Sequence, residues 1–303
     1  MHFNDRTETI ALTPQWQGER LPDGRPCVAD HYLDALQNMT LEEVWKPIFQ
    51  QGYEHQFVGG GLAPLIPLHD DGRKLIGRAV TCSFCPVRPD LDQVMRTVGQ
   101  SEERKGNYNQ WVIDSLQDRD VAVVDMYDKI YKGTFLGGNL TTALKTRTHS
   151  GGAVIWGGVR DLEQMQKIDA IQVYYRGIDP TPIRDFVMTG FNTVTSFGGA
   201  VCLPGDVVFG AGGGVLFIPS HLVADVVDGA AKTHVKDIFG FEMLSQNRFT
   251  TAQIDKNIWD QAMLDMLLTW IREDPRAAAY RDLDWSGEYE LARTNPKDTQ
   301  TAL

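Results

Sequence analysis

Between Leu75 and Ile218 short apolar runs recur at close intervals, most bounded by glycine, proline or aspartate. They are Leu75–Phe84, Val121–Met126, Ala153–Trp156, Ile171–Tyr174, Thr193–Ser196, Val207–Phe209 and Val215–Ile218. Each has the length of a buried strand, so a plain helical bundle is excluded. Several strands follow one another with no room for a helix between them, which argues against a uniform doubly wound sheet and for a layered, mixed α/β fold. Helices are predicted around them. One starts at the capping box Thr40-Leu41-Glu42-Glu43 and stops near Gly52, with Pro47 inside it as a possible kink. Others are predicted over Glu102–Leu116, Asn139–His149 and Leu162–Ile168. A long helix begins at Pro219-Ser220 with Leu222, Val223, Val226, Val227 and Ala230 on one face. A last one covers Ile258–Ile271, where Trp259, Met263, Met266, Leu267 and Trp270 suit a core or subunit interface. The first forty residues carry no strong periodicity, and LPDGRPCVAD is rich in turn formers, so this stretch is predicted as a surface arm.

Charge narrows the function classes. The chain has 40 Asp and Glu against 29 Lys and Arg, a formal net charge of −11. Nucleic acid and anionic membrane both demand clustered positive charge, so neither is an expected partner. The start MHFNDRTETIALTPQW lacks the apolar run of a secretory signal, and the weakly polar stretch Val207–Pro219 is too short to span a bilayer. Of the four cysteines, Cys27, Cys82, Cys85 and Cys202, Cys82 and Cys85 form a C-x-x-C with no second pair at zinc spacing, and this pair is read as packing thiols. The expectation is a cytoplasmic, reducing location.

Common catalytic signatures are absent: there is no Walker loop, no H-E-x-x-H and no G-x-S-x-G. Gly210-Ala211-Gly212-Gly213-Gly214 lies between two strands, so it is a tight hairpin rather than a nucleotide loop. The seven histidines are scattered; His55 and His69 fall in predicted loops and stay open. The informative pair is Gly137-Gly138-Asn139-Leu140 and Gly157-Gly158-Val159-Arg160-Asp161. The first opens a helix, where free backbone N–H groups and the helix dipole attract anions. The second follows a buried strand. Its arginine suits a carboxylate, and its aspartate suits a hard divalent cation that keeps most of its waters. Together they meet the needs of a 2-oxo acid. Spacing alone leaves two plainer roles open: Asn139 as a helix N-cap, and Asp161 as the cap of the following helix.

The stretch GGNLTTALKTRTHSGGAVIWGGVRD resembles the signature of the RraA-like family. That family holds the regulator of ribonuclease activity A and the class II 4-hydroxy-4-methyl-2-oxoglutarate aldolases. Leu75–Thr81, Tyr175-Arg176-Gly177 with Pro180, and Leu203-Pro204-Gly205-Asp206 through Val215–Pro219 resemble further family segments, so the likeness covers about Leu41 to Ala231. It implies an α/β/β layered swivelling-domain fold with terminal extensions, assembled as a trimer or a dimer of trimers. The implied boundaries are an arm at 1–40, a core at 41–235 and a helical extension at 236–303. By carry-over, Asp161 would ligate Mg2+ or Mn2+, Arg160 would bind the substrate carboxylate or enolate, and the amides of Gly138, Asn139 and Leu140 would hold the oxo-acid carboxylate. An acid of a neighbouring subunit completes the site in the aldolases, and Asp237 and Glu242 lie in a suitable region here.

The family's pattern is not fully kept. Asn139 stands where the aldolases have an acid, and Gln164 stands at the last acidic position, with Glu163 one step early. An amide can orient a water but cannot take its proton. The resemblance therefore implies a divalent-metal-dependent lyase acting on a small 2-oxo acid or sugar-acid-like substrate, with the particular cleavage open. Its alternative is a non-catalytic protein that binds and regulates a ribonuclease. A demethylmenaquinone methyltransferase is rejected, because no glycine-rich S-adenosylmethionine loop precedes an acidic strand end.

Overall fold

The computed structural model describes residues 3–67, 73–149 and 151–294 and divides the chain into two compact units, Met1–Ala224 and Asp225–Leu303. In the first unit the strands are β1 (Phe57–Val58), β2 (Ala63–Pro64), β3 (Leu75–Pro86), β4 (Asp120–Leu136), β5 (Gly152–Val159), β6 (Gln172–Ile178), β7 (Phe186–Phe191), β8 (Thr195–Phe197), β9 (Ala200–Cys202), β10 (Val207–Ala211) and β11 (Gly214–Ile218). Nine of them form one mixed sheet in the order β1-β11-β10-β3-β4-β5-β6-β2, with β7 paired to β3, while β8 and β9 make a separate hairpin. The centre, β3-β4-β5-β6, is parallel and the flanks are antiparallel. A parallel centre must be covered on both faces, which is why Val121-Ala122-Val123-Val124 is apolar without alternation.

Strand alternation sorts those side chains into two cores. Val80, Cys82 and Phe84 of β3 and Ala122, Val124 and Met126 of β4 face one side, where Met95, Trp111, Val112 and Leu144 of three helices meet them. Leu75, Ala79, Val121, Val123 and Val154 face the other, with Val208 and Phe217 of the same sheet, and there they form one cluster with Phe197, Ala200 and Cys202 of the small hairpin. The result is a helix layer, a main sheet and a second β layer, the mixed α/β layering expected. Burying each of these aliphatic or aromatic side chains stabilises the fold by about 1.5–3 kcal/mol.

Local chemistry explains where elements begin. The capping box at Thr40 is present, with Glu43 N–H donating to Thr40 Oγ1 and Thr40 N–H to Glu43 Oε2, and the helix Leu41–Gln50 runs through Pro47 unbroken. The helix expected over Glu102–Leu116 is shorter, Tyr108–Ser115, and a further helix not anticipated from the sequence, Pro89–Ser101, precedes it. Pro89 starts the first, and positive φ at Glu103 and Gly106 separates them. Gly133 to Leu136 stay in β4, so Gly137 alone links that strand to the helix beginning at Gly138. Ala211 pairs with Gly214, so Gly212-Gly213 form the tight hairpin.

The first forty residues are more than a surface arm. They carry helices Arg6–Leu12 and Asp30–Leu36, and Arg25 between them is wholly buried. Its guanidinium donates to both oxygens of Asp120 at 2.7 and 2.9 Å and to Asp23 at 2.7 Å. Loop composition predicts exposure, and a bidentate carboxylate partner ninety-five residues away in sequence overrides it. All four cysteines are free, and burial pushes the Cys82 and Cys202 thiols well above their usual range.

The second unit is helical. It contains Thr251–Ile254, Gln261–Glu273, Ser286–Thr294 and most of Val223–Ser245. Phe239, Met243, Trp259, Met263, Leu264, Leu267 and Ile271 form its core. The helix expected from Ile258 starts at Gln261, because Asp260 caps it through Met263 N–H at 2.9 Å. No helix among the described residues is long and apolar enough to cross a membrane.

Candidate functional site

Strand β4 ends at Leu136, and Gly137 caps the helix Gly138–Thr148 that follows. Strand β5 lies beside β4 and ends at Val159, so Arg160 and Asp161 emerge next to that helix start. Arg160 N–H donates to Leu136 O at 3.0 Å, which ties the two strand ends together. The sequence places these segments twenty residues apart, and the parallel pairing of β4 with β5 brings them together.

Asp161 is the distinctive residue. It is left-handed, at φ 56° and ψ 37°, a conformation that aspartate tolerates better than most side chains. Its carboxylate makes no capping bond to the helix Leu162–Met165 that it precedes. Instead Oδ2 accepts the Gly138 N–H at 3.2 Å and lies 3.6 Å from Arg160 Nε. Asp161 thus holds the N-cap position of its own helix through its backbone, while its side chain serves the neighbouring helix start. Asn139 is not an N-cap, since Gly137 holds that position. Of the three amides expected to hold a carboxylate, Gly138's is engaged by Asp161. Those of Asn139 and Leu140 occupy the next two helix positions, where no intrahelical carbonyl serves them.

Both glycines are required by close approach. A Cβ on Gly137 would lie 2.5 Å from Asp161 Oδ2, and one on Gly138 would lie 2.4 Å from Gln164 Oε1. Gln164, at the family's last acidic position, thus packs against the helix start.

Asn139, Leu140 and Arg160 line one cavity of about 260 Å3, together with Gly137 and Phe135. Asp161 and Gly138 are not part of its wall. The wall also includes Asn107, Asn109, Gln110 and Ile183, which the sequence reading missed. A signal existed: Asn107 and Gln110 stand at capping-box spacing at the start of the helix Tyr108–Ser115, and it was hidden by running one helix through from Glu102.

Among the described residues no group of three or more His, Cys, Asp and Glu side chains comes together. Asp161 belongs to no such group, and a carboxylate outside a ligand cluster suits a magnesium-like cation keeping several waters and not a fully protein-caged one. His2 and His69 lie outside the described residues, and His55 is exposed in a loop. Asp237 and Glu242 both lie on the helix Val223–Ser245, and Glu242 is ion-paired with Arg276 of the same chain. A second cavity, of about 290 Å3, is lined by Trp16, Tyr53, Asp206 and His221. Burial pushes the Asp206 carboxyl up to about 7, although it accepts the N–H groups of Leu203 and Ser220.

A family model described as RraA-like, Aldolase/RraA, matches residues 34–217. Protein DlpA of Legionella pneumophila is 28% identical over 241 residues, which is 77% of this chain and 33% of that protein. The chain thus spans about a third of the length of the curated relative it matches. Among solved structures, an uncharacterized protein from Pseudomonas syringae pv. tomato superposes with a TM-score of 0.61 at 18% identity, covering 78% of this chain and 98% of that one. Streptomyces coelicolor RraAS2, described as an unusual member of the RNase ES inhibitor RraA protein family, superposes at 0.59 with 22% identity, covering 71% and 97%.

Proposed function

The chain belongs to the RraA-like family, and from that premise we propose that it is a divalent-metal-dependent lyase acting on a small 2-oxo acid. The observation that carries the reading is the redirected Asp161 carboxylate. A residue in an uncommon backbone conformation turns away from its own helix towards a neighbouring helix start, beside Arg160, which lines a cavity. Unusual backbone held at such a place fits a ligand site better than a surface cap.

In this reading Asp161 would hold Mg2+ or Mn2+, whose Lewis acidity when bound favours the negative charge that develops on the oxo oxygen during cleavage. Arg160 binds the substrate carboxylate, since its guanidinium offers two parallel donors. The amides of Asn139 and Leu140, with the positive end of the helix dipole, add to that binding. Asn139 orients a water by hydrogen bonding and leaves the proton transfer to another group, which favours decarboxylation or dehydration over the family's aldol cleavage. The site binds no nucleic acid in this reading. A homo-oligomer, trimeric or hexameric, remains part of the proposal.

The second reading, a ribonuclease-binding protein, is favoured by the net charge of −11, which suits a basic partner. It assigns no task to Arg160 and Asp161. The deciding experiment uses metal-stripped protein and follows oxaloacetate decarboxylation and pyruvate release from 4-hydroxy-2-oxo acids, with and without added Mg2+ or Mn2+. Turnover that needs metal and disappears in Asp161→Ala, with the fold unchanged by circular dichroism, supports the lyase. Unchanged turnover in that variant sinks the metal assignment.

A further inference from the structure

The cavity beside Arg160 has an unusual balance of charge. Among the described residues Arg160 is the one ionised side chain in its wall. The other polar groups are neutral, and four are amides: Asn107, Asn109, Gln110 and Asn139. Phe135, Leu140 and Ile183 supply apolar surface.

Asn109 stands apart from the rest. It is only 5% exposed. Its Nδ2 donates to Phe135 O at 3.1 Å, which sets the orientation of the amide. Its Oδ1 is buried with no hydrogen-bond partner. Leaving such an acceptor unpaired costs free energy that a bound donor would return. Gln110 has the complementary character: its Oε1 accepts the Asn107 N–H at 2.7 Å, so its NH2 is what it can offer a ligand. A hydroxyl group, which donates and accepts, matches both. A second carboxylate matches neither Asn109 Oδ1 nor a cation, because Arg160 is already committed to the first, and its burial among neutral amides would be unfavourable.

We propose that the cavity takes a monocarboxylic 2-oxo acid with a neutral, hydroxylated body, and that Asn109 is a specificity-determining residue that accepts a hydrogen bond from a substrate hydroxyl. The inference rests on the reading of Arg160 as the carboxylate anchor. It separates substrates within the oxo-acid class: chains of sugar-acid type are favoured, dicarboxylates such as oxaloacetate are turned over only as poor substitutes, and dehydration is then the preferred reaction of the two named above.

The test is calorimetric binding in magnesium buffer with three probes, pyruvate, hydroxypyruvate and 2-oxoglutarate. They share the oxo-acid head and differ by a hydroxyl or a second carboxylate. The wild-type protein is expected to bind hydroxypyruvate at least about fivefold more tightly than pyruvate, and 2-oxoglutarate no more tightly than pyruvate. Asn109→Ala and the more conservative Asn109→Ser are expected to weaken hydroxypyruvate more than pyruvate, so that the ratio of the two affinities falls to about one. The wild-type comparison stands even if one variant folds poorly. Tighter binding of 2-oxoglutarate than of hydroxypyruvate overturns the proposal, and so does equal weakening of all three probes in both Asn109 variants, which would mark a structural residue. Arg160→Ala separates the two levels: if it leaves pyruvate binding intact, or if the wild type binds none of the probes, the anchor itself fails and the specificity argument falls with it.

Discussion

Replacing Arg25 by alanine should destabilise the first unit severely, although Arg25 lies in a segment whose composition marks it as a loop. The guanidinium is fully buried, and so is the Asp120 carboxylate that it grips with two bonds of 2.7 and 2.9 Å. Removing the cation leaves Asp120 with one remaining donor, the Gln117 N–H at 2.8 Å, and leaves Asp23 without its 2.7 Å contact. Hydrogen bonds to charged groups contribute roughly 1.5–3 kcal/mol each, and a buried pair broken on one side costs about 3–5 kcal/mol. For a unit of this size each kcal/mol moves the midpoint by about 2–4 °C, so the expected drop is roughly 6–20 °C. Differential scanning calorimetry of the full chain reads it directly. Asp120→Ala should cost about the same. The double variant Arg25→Met with Asp120→Leu should recover at least half of the loss, because neither charge is then stranded in the interior. A drop under about 2 °C for Arg25→Ala, or a double variant no more stable than either single one, would refute the view that the arm is clamped by a desolvated ion pair.

Gly137→Ala should lower oxo-acid turnover about tenfold or more with little change in thermal midpoint, since its Cβ would meet Asp161 Oδ2 at 2.5 Å and displace that carboxylate. Full activity in this variant would show that the position of Asp161 does not matter. Asn139→Asp should raise aldol cleavage of 4-hydroxy-2-oxo acids relative to oxaloacetate decarboxylation, because a carboxylate can accept the proton that an amide cannot. An unchanged ratio of the two rates contradicts the assignment. Asp206 makes stability depend on pH. Its folded value, about 7, lies above the ordinary 3.8, so the folded state holds the proton more tightly. Its contribution is fully present below about pH 4 and is lost as the pH rises through 7, on the order of 4 kcal/mol in all. Urea midpoints at pH 5 and pH 8 should show the wild type losing stability over that interval and Asp206→Asn losing much less, and equal slopes would dismiss the effect.

Much of the architecture was legible in the chain. The apolar runs from Leu75 to Ile218 marked the main strands, and the capping box at Thr40 and the Gly212-Gly213 hairpin appeared where their residues required. The helix Pro89–Ser101 was not anticipated and the next was started at Glu102 rather than Tyr108, whereas Pro89 and the positive φ at Glu103 and Gly106 decide the actual ends. At the site, Asn139, Leu140 and Arg160 were picked out from the sequence and line one cavity. Asn109 was not, because an asparagine on a short helix carries no signal until the carbonyl it bonds and the donor it lacks are known.

The division follows from the range of the forces involved. Strand periodicity, caps and turns are set by interactions within a few residues, so the sequence alone determined the mixed α/β class, the two glycine-rich turns and the Arg160-Asp161 pair. Charge pairing and cavity formation join residues far apart in the chain. Only the tertiary structure could bury Arg25 against Asp120, turn the Asp161 carboxylate from its own helix to Gly138, and leave Asn109 Oδ1 without a partner. Each depends on which groups the parallel stacking of β3, β4 and β5 excludes from water, and desolvation is a property of the assembled layers that no local pattern encodes.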